Sequence, residues 1–547
     1  MVDLTAFNAQ IQSGLKRKAI DGPAKWALTY RVMGPPYPGP WSFKYHPWLR
    51  EMHESKSQDN IGMKGAQLGF TEHLMNIVFY RMDMLQQDCM YALPAQNPDA
   101  TDFSTTRFNP AIELSDHLSG IFSTSAVGRK TAGIATLYIR GARSRSGFKS
   151  VPVPFLACDE VDEWDDKMIP LVKERMSGQF KDQWEMWRVS TPSIVNHGVH
   201  KQFLESSQDH FFFPCPHCGK QTELVFPECF ELGTDDYMSK DVHNSYVKCK
   251  ECQHELNHGS KHKWLAPGRW VTGVEDRTIR GFHVNQLYSS TMDPGRFAES
   301  FLRAQVNPED EQEFYNSKLG VPHIVEGARV TDLEIQNSTR NYTLDALIPK
   351  SVITMGIDVG TNLHYEIVRW KFNENTTGYN LHFESTAHVA RIGKCKHFEE
   401  LDELIRRYRP NAVVIDANPE RRAATKLAND FHSIVKMCFY GNSSNGRELS
   451  ESKTEPTVTV DRTSWLDLSL GRWHNNTIEL PIDTPEEYKN HIKALVRRYE
   501  KDKQGNSVAK FVNVGPDHYA HAHTYAEIAF DLAANAFAGR SIKKKVL

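Results

Sequence analysis

The chain has 547 residues, a formal net charge of −3, and 40% hydrophobic and 24% charged residues. A single core stops growing well short of that length, so at least two domains are expected, and the near-neutral balance excludes a constitutive nucleic-acid coat, which would be strongly basic. No apolar run approaches the roughly 20 residues of a membrane span, and Met1 to Ile20 carries Lys16, Arg17 and Lys18 without an apolar core, so neither a membrane protein nor a secretory signal is expected and the default compartment is the cytoplasm.

In chain order, residues 22–48 are rich in Pro, Gly and aromatics and predict a looped lead-in. From about residue 58 short apolar strands alternate with helices. Ile61–Met63 predicts a strand with a helix from Thr71, and further strands are expected at Cys89–Leu93, Ile134–Ile139, Val151–Cys158 and Trp184–Ser190. That alternation argues for an open α/β sheet. Residues 211–258 break the rhythm and predict a small inserted module; residues 331–350 are polar, end in Ile348-Pro349 and predict a linker. A second α/β pattern starts at Ile353: strands 353–359, 364–372 and 378–388, helix 397–409, strand 411–416, helix 419–430 and strand 433–439. Within its first helix Phe398, Leu401, Leu404, Ile405 and Tyr408 share one face at the 3.6-residue period. Three meandering strands followed by alternating helix and strand is the order of a ribonuclease-H-like domain. The expected organisation is therefore 1–330, containing the 211–258 insertion, a 331–350 linker, and 351–547.

Lys64-Gly65-Ala66-Gln67-Leu68-Gly69-Phe70-Thr71 lies between a predicted strand and helix, where amides and a helix N-terminus favour phosphate. It departs from G-x4-G-K-[ST]: Lys64 fills the first glycine slot and Phe70 the lysine slot. Taken alone, it suits a structural turn better than an ATP site. Val153–Cys158 followed by Asp159-Glu160 adds what a phosphate-loop ATPase needs next: one carboxylate for Mg²⁺ and a neighbour to orient and deprotonate water. The alternative is a solvated acidic turn, since Asp162, Glu163, Asp165 and Asp166 follow, and Pro152 and Pro154 suit a central strand poorly. Ser190-Thr191-Pro192 ends the next strand, where hydroxyls can sense a terminal phosphate or simply close a turn.

Nine cysteines do not suggest a disulfide scaffold in so long a chain, but four of them form Cys215-x-x-Cys218 and Cys249-x-x-Cys252. Each CxxC places two thiolates on one tight turn, and two such turns make a closed tetrahedral Zn²⁺ site, structural rather than catalytic. His217, Cys229 and His254 are possible substitute ligands.

In the second pattern Asp358 and Asp416 end apolar strands, and Asp517 with His518 opens the last helix. Carboxylates at those three stations converge in a ribonuclease-H-like fold and hold two Mg²⁺ or Mn²⁺ ions roughly 3.5–4 Å apart. Individually, Asp416 and Asp517 also fit helix caps.

Lys64-x4-Gly-Phe-Thr, then Arg140-Gly-Ala-Arg-Ser-Arg-Ser-Gly-Phe, Cys-Asp159-Glu160 and Ser190-Thr191-Pro192 together resemble the lambda-type large terminase subunits of tailed phages, whose phosphate-loop lysine also stands at the loop's start. The resemblance implies ATP-driven packaging of double-stranded DNA into a procapsid and metal-dependent cutting of concatemeric DNA. It implies that Lys64 and Thr71 bind phosphate and Mg²⁺, Asp159 binds Mg²⁺ and Glu160 is catalytic. It also implies a homo-oligomeric ring on a capsid portal protein, a small terminase subunit as partner, and an arginine finger, for which Arg143 and Arg145 are candidates. An aromatic from Trp41–Tyr45 is the candidate adenine stack. The family often has a second acid where this chain has His518, which implies weaker binding of the second cation or a preference for Mn²⁺. Basic clusters at 140–149 and at Arg421 and Arg422 are the candidate DNA contacts. Two other readings stay open at this point: a helicase-nuclease of repair or restriction, and a non-catalytic zinc-containing DNA adaptor, which Phe70 in the lysine slot favours.

Overall fold

The computed structural model describes residues 20–545 apart from 36, 144–147, 149–150, 166, 182, 326, 346–351, 373–381, 383, 442–448 and 502–506, with backbone alone at 124–125, 175, 177–179, 500–501, 507 and 535–545. The chain divides into two compact units, Met1–His323 and Ile324–Leu547. Among the described residues no helix is long and apolar enough to cross a membrane.

The spine of the first unit is a run of parallel strands in the spatial order Asp209–Pro214, Arg280–Val284, Asp59–Lys64, Glu185–Ser190, Phe155–Asp159, Cys89–Leu93 and Ala135–Gly141. Asp59–Lys64, Cys89–Leu93 and Phe155–Asp159 are buried at every position, as a parallel sheet covered on both faces requires. Arg129–Ala132 and Phe122–Ala126 close one edge as antiparallel strands. The acidic strand begins only at Phe155, later than the expected Val151, so neither Pro152 nor Pro154 interrupts a ladder.

Three sequence expectations change here. The lead-in is not all loop: Pro23–Tyr30 is a helix, with proline at its first position and Trp26 and Ala27 fully buried. The inserted module starts after Pro214, because 209–214 is a main-sheet strand whose Phe211 and Phe213 enter the core. Residues 331–345 are not a linker. Thr331 and Glu334 form a capping box on the helix Asp332–Ser338, Ile335 is buried, and Thr339–Arg340 pairs with Ile478–Pro481. Residues 346–350 of the proposed linker lie outside the described residues.

The second unit is built on a nine-stranded sheet in the order Thr339–Arg340, Ile478–Pro481, Thr386–Cys395, Leu363–Lys371, Val352–Val359, Ala412–Asp416, Val435–Gly441, Thr457–Asp461, Ser450–Glu451. Val352–Val359, Leu363–Lys371 and Thr386–Cys395 form the antiparallel meander, and Ala412–Asp416 and Val435–Gly441 continue parallel from its first strand. The third strand described is Thr386–Cys395, with Ala387, Val389, Ala390 and Ile392 at its buried positions; of the expected 378–388, residues 378–381 and 383 lie outside the described residues. Helices Phe398–Tyr408 and Arg421–Asp430 share one hydrophobic cluster with the sheet. Arg462–His474 and the final helix His518–Lys545 share another. That final helix lies against Val352–Val359 at Gly356, where an added Cβ would fall 1.9 Å from the Ala522 carbonyl oxygen.

Candidate functional site

The loop after Asp59–Lys64 turns into the helix Phe70–Met84 through Gly69, whose φ of 81° favours glycine. The amides of Gly65 and Ala66 are taken up by the carbonyls of Val284 and Ser317, and Gln286 Nε2 donates to the Ala66 carbonyl. The amides at the start of the helix have no intrahelical acceptor. Leu68 and Phe70 are 1% exposed. A Cβ on Gly62 would lie 2.6 Å from the Phe70 ring, so the residue in the usual lysine slot is a core anchor of helix on strand.

The charge missing from that slot is supplied from the strand. Lys64, 6% exposed, donates from Nζ to Thr191 Oγ1 at 3.1 Å and to Glu160 Oε1 at 3.4 Å. Thr71 Oγ1 donates to Asp159 Oδ2 at 3.1 Å, and Tyr91 donates to the same oxygen. Ser190 Oγ donates to Glu160 Oε2 at 3.1 Å. Burial, then the Glu160 carboxylate beside it, push the Asp159 carboxyl up to about 6 against the pull of Lys64. Glu160 sits at φ 51°, ψ 47°, in the left-handed region. Such a conformation in a non-glycine residue costs of order 1–3 kcal/mol and persists where surrounding contacts hold it; here Lys64 and Ser190 hold both carboxylate oxygens. Lys64, Thr71, Asp159, Glu160, Ser190 and Thr191 thus meet in one place. The hydroxyl-ended strand stands between the loop strand and the acidic strand, an order not legible in the sequence. Tyr91 was missed there too; its only signal is its place one strand from Asp159. The hydroxyl of Thr71 and the carboxylate of Asp159 form an oxygen donor pair suited to a hard cation such as Mg²⁺.

The aromatic lead-in comes close to this loop at His46, whose ring a Cβ on Gly69 would meet at 3.3 Å. Trp41 and Phe43 are buried, whereas Tyr45 is half-buried and stacks on Tyr37 at 4.4 Å. Of the basic cluster, Arg140 donates to the carbonyls of Gly128 and Ile139, Arg143 is exposed, and Arg145 and Lys149 lie outside the described residues.

Cys215, Cys218, Cys249 and Cys252 bring their sulfurs within 4.8 Å of one another. Gly219, at φ 72°, closes the first turn. Burial raises the Cys249 thiol, but the amides of Cys252 and Glu251 that point at it outweigh this and lower it. Four converging sulfurs on two such turns fit Zn²⁺. Cys229 stands apart, its thiol turned to the Glu223 carbonyl, and His217 and His254 stack on each other at the exposed rim.

In the second unit Asp358 and Asp416 end neighbouring parallel strands whose preceding residues, Ile357 and Ile415, are paired in register. Burial, then the charge of Asp358, push the Asp416 carboxyl up to about 6. Asp517 stands 3.4 Å from His521 Nε2, whose Nδ1 meets the Tyr440 hydroxyl at 3.0 Å. Burial raises Asp517, but His521, His518 and Arg462 outweigh it and hold it low. His518 Nδ1 lies 2.9 Å from Asp358 Oδ2, and that bond raises its pKa. The tightest group is not the three aspartates but Asp358, His364 and His518. His364 escaped the sequence reading. A short hairpin through Gly360–Asn362 puts it directly opposite Asp358, a register that the strand boundaries alone carry. Arg421 and Arg422 are exposed at the start of the helix that follows Asp416.

Two family models match the chain. One described as "Phage terminase large subunit gpA, ATPase domain" covers residues 36–270, and one described as "Terminase large subunit gpA, endonuclease domain" covers 279–529. The large terminase subunit of Enterobacteria phage P21 is 23% identical over 344 residues, 56% of this chain and 53% of that protein, so the match spans about half the length of that relative. Among solved structures, the HK97 bacteriophage large terminase aligns over 92% of this chain and 98% of its own at 12% identity with a TM-score of 0.45. The large terminase of a thermophilic bacteriophage aligns over 89% of this chain and 98% of its own at 11% identity with a TM-score of 0.33.

Proposed function

Since the chain belongs to the gpA family of phage terminase large subunits, with that family's ATPase and endonuclease domains in succession, we propose that it drives double-stranded DNA into a procapsid by ATP hydrolysis and cuts concatemeric DNA in its second unit. The observation that carries this reading is a pair of acidic groups, Asp159 with Glu160 beside a phosphate-type loop, and Asp358 with Asp416 at the ends of neighbouring strands of the second sheet, with Asp517 just before the final helix. Neither family match points to a helicase or to a non-catalytic adaptor.

In the motor, the loop from Lys64 to Thr71 cradles the phosphates, its helix-start amides facing them, and the Lys64 ammonium balances the terminal phosphate. Thr71 and Asp159 would hold Mg²⁺, which neutralises charge developing on the phosphoryl oxygens. Glu160 orients the attacking water and takes its proton. Ser190 and Thr191 bond to Glu160 and Lys64 respectively, so that loss of the terminal phosphate is felt at the end of their strand. Cys215, Cys218, Cys249 and Cys252 would hold a structural Zn²⁺, which would fasten the two CxxC turns to each other beside the strand end at Pro214.

In the cutter, Asp358, Asp416, Asp517 and His518 would hold the nuclease cations, Mg²⁺ or Mn²⁺, which supply an activated water and stabilise the leaving oxygen. The exposed Arg421 and Arg422 hold the DNA backbone without reading sequence. Family membership supports the remaining assignments: a homo-oligomeric ring on the capsid portal protein, a small terminase subunit as partner, and action in the cytoplasm of the infected host, transiently on the procapsid.

The test is a double dissociation in the full chain. Glu160→Ala is expected to stop DNA-stimulated ATP turnover and to spare metal-dependent cutting of plasmid DNA. Asp358→Ala is expected to do the reverse. Loss of both activities in either folded variant overturns the two-site reading.

A further inference from the structure

The Asp358 carboxylate is surrounded by nitrogen. His364 is its directly opposed partner across the ladder between Val352–Val359 and Leu363–Lys371. His518 approaches it from the final helix at 2.9 Å. One ligand atom from each of Asp358, His364 and His518 lies within 4.8 Å of the other two. The His364 and His518 rings are stacked, 4.5 Å apart and within 6° of parallel.

The burial of His364, which is 4% exposed, leaves its Nδ1 without a hydrogen-bond partner among the described residues. A buried imidazole nitrogen left unpaired loses its bond to water without replacement, a cost that a bound cation would remove. The neighbouring charges do not supply the partner: Lys394 holds Glu487, and His521 holds Asp517. His491, the next ring out at 5.6 Å from both His364 and His518, also has an unpartnered Nδ1.

We propose that His364 is a direct ligand of one nuclease cation, completing with Asp358 and His518 a set of two imidazoles and one carboxylate that favours a first-row transition ion, such as Mn²⁺ or Co²⁺, over Mg²⁺. The inference rests on the reading of the second unit as a metal-dependent cutter. Imidazole nitrogen suits first-row transition ions, whereas Mg²⁺ prefers oxygen donors and sheds water reluctantly. The oxygen donors Asp416 and Asp517 lie outside the tight group, so the nitrogen-rich half of the site sets the ion preference.

The experiment uses the full chain, zinc-loaded and free of nucleotide, with Mn²⁺ as the probe. In the unaltered protein, pulsed electron paramagnetic resonance is expected to show imidazole nitrogen coupled to bound Mn²⁺. His364→Ala is expected to weaken Mn²⁺ binding by at least about tenfold, no less than removal of an outer partner of a ligand does, with ATP turnover unchanged. His364→Asp restores an oxygen donor and is expected to shift the cutting preference toward Mg²⁺, a gain that misfolding cannot produce. Absence of coupled nitrogen, or an unchanged Mn²⁺ affinity and ion preference in both variants, overturns the role of His364. Continued cutting by Asp358→Ala instead overturns the cutter itself, so the two failures are distinguishable.

Discussion

Lys64 and Glu160, 96 residues apart in the chain, meet with Nζ 3.4 Å from Oε1. The Lys64 ammonium is nearly buried and faces two adjacent carboxylates, Asp159 and Glu160, so its removal leaves two like charges opposed at a site that must also accept phosphate. Lys64→Ala is expected to lower DNA-stimulated ATP turnover by about 10²- to 10³-fold, the scale of losing one preorganised group on a developing charge. Steady-state ATPase assays measure it. Plasmid cutting by the same preparation should be unchanged, and a variant that still turns over ATP at more than a tenth of the normal rate contradicts the assignment of Lys64.

Gly356 tests how the final helix is seated. Its added Cβ would lie 1.9 Å from the Ala522 carbonyl oxygen and 2.3 Å from the Ala526 nitrogen, both backbone atoms that cannot rotate away. Gly356→Ala should therefore destabilise the second unit by about 1–3 kcal/mol and displace Asp517 and His518. Denaturant unfolding and plasmid cutting read the two effects; full cutting activity would show that the helix need not sit so close.

The cysteine site predicts one Zn²⁺ per chain by elemental analysis. Cys249→Ser should lose it and unfold at lower temperature, since closed thiolate sites contribute directly to folding. Cys229→Ser and His217→Ala should keep it, because Cys229 is turned to the Glu223 carbonyl and His217 stands at the exposed rim. Retention of zinc by Cys249→Ser, or loss of it in Cys229→Ser, would require a different ligand set.

Glu527 carries a pH prediction. It is fully buried, and Arg472 donates to it from Nε and Nη2, both at 2.5 Å, while His382 meets it at 2.7 Å. Burial alone would raise its carboxyl, but Arg472 and His382 outweigh burial and hold it at about 2. A carboxyl depressed in the fold contributes stability that is present above its unfolded value, near 4.5, and is lost as pH falls toward about 2. Glu527→Gln is expected to cost about 3–5 kcal/mol at neutral pH, because it leaves the buried Arg472 uncompensated. The gap between variant and unaltered protein, measured by urea unfolding, should narrow as pH falls from 4.5 to 2. A gap that stays constant with pH would mean that the charge on Glu527 is not what matters.

Much of the molecule was legible along the chain because the signals are local. Asp159-Glu160 follows an apolar run, CxxC fixes two thiolates on one turn, and Phe398, Leu401 and Ile405 repeat at helical spacing. Proline and polarity misled the same reading where tertiary burial overrode them. Pro23 starts a helix because Trp26 and Ala27 are buried, and the polar stretch at 331–345 docks through Ile335 and a paired strand.

By itself the sequence determined which candidate groups this protein carries and the order in which they come: a phosphate-type loop and an acidic pair, each written in neighbouring residues, then two CxxC pairs, and three later aspartates far apart in the chain. Only the tertiary structure decided what those groups face. The Ser190–Thr191 strand lies between loop and acids, Phe70 belongs to the core, Lys64 meets Glu160 and Thr191, and His364 stands opposite Asp358. These are consequences of strand order and register, which long-range pairing and burial set and which no local spacing encodes.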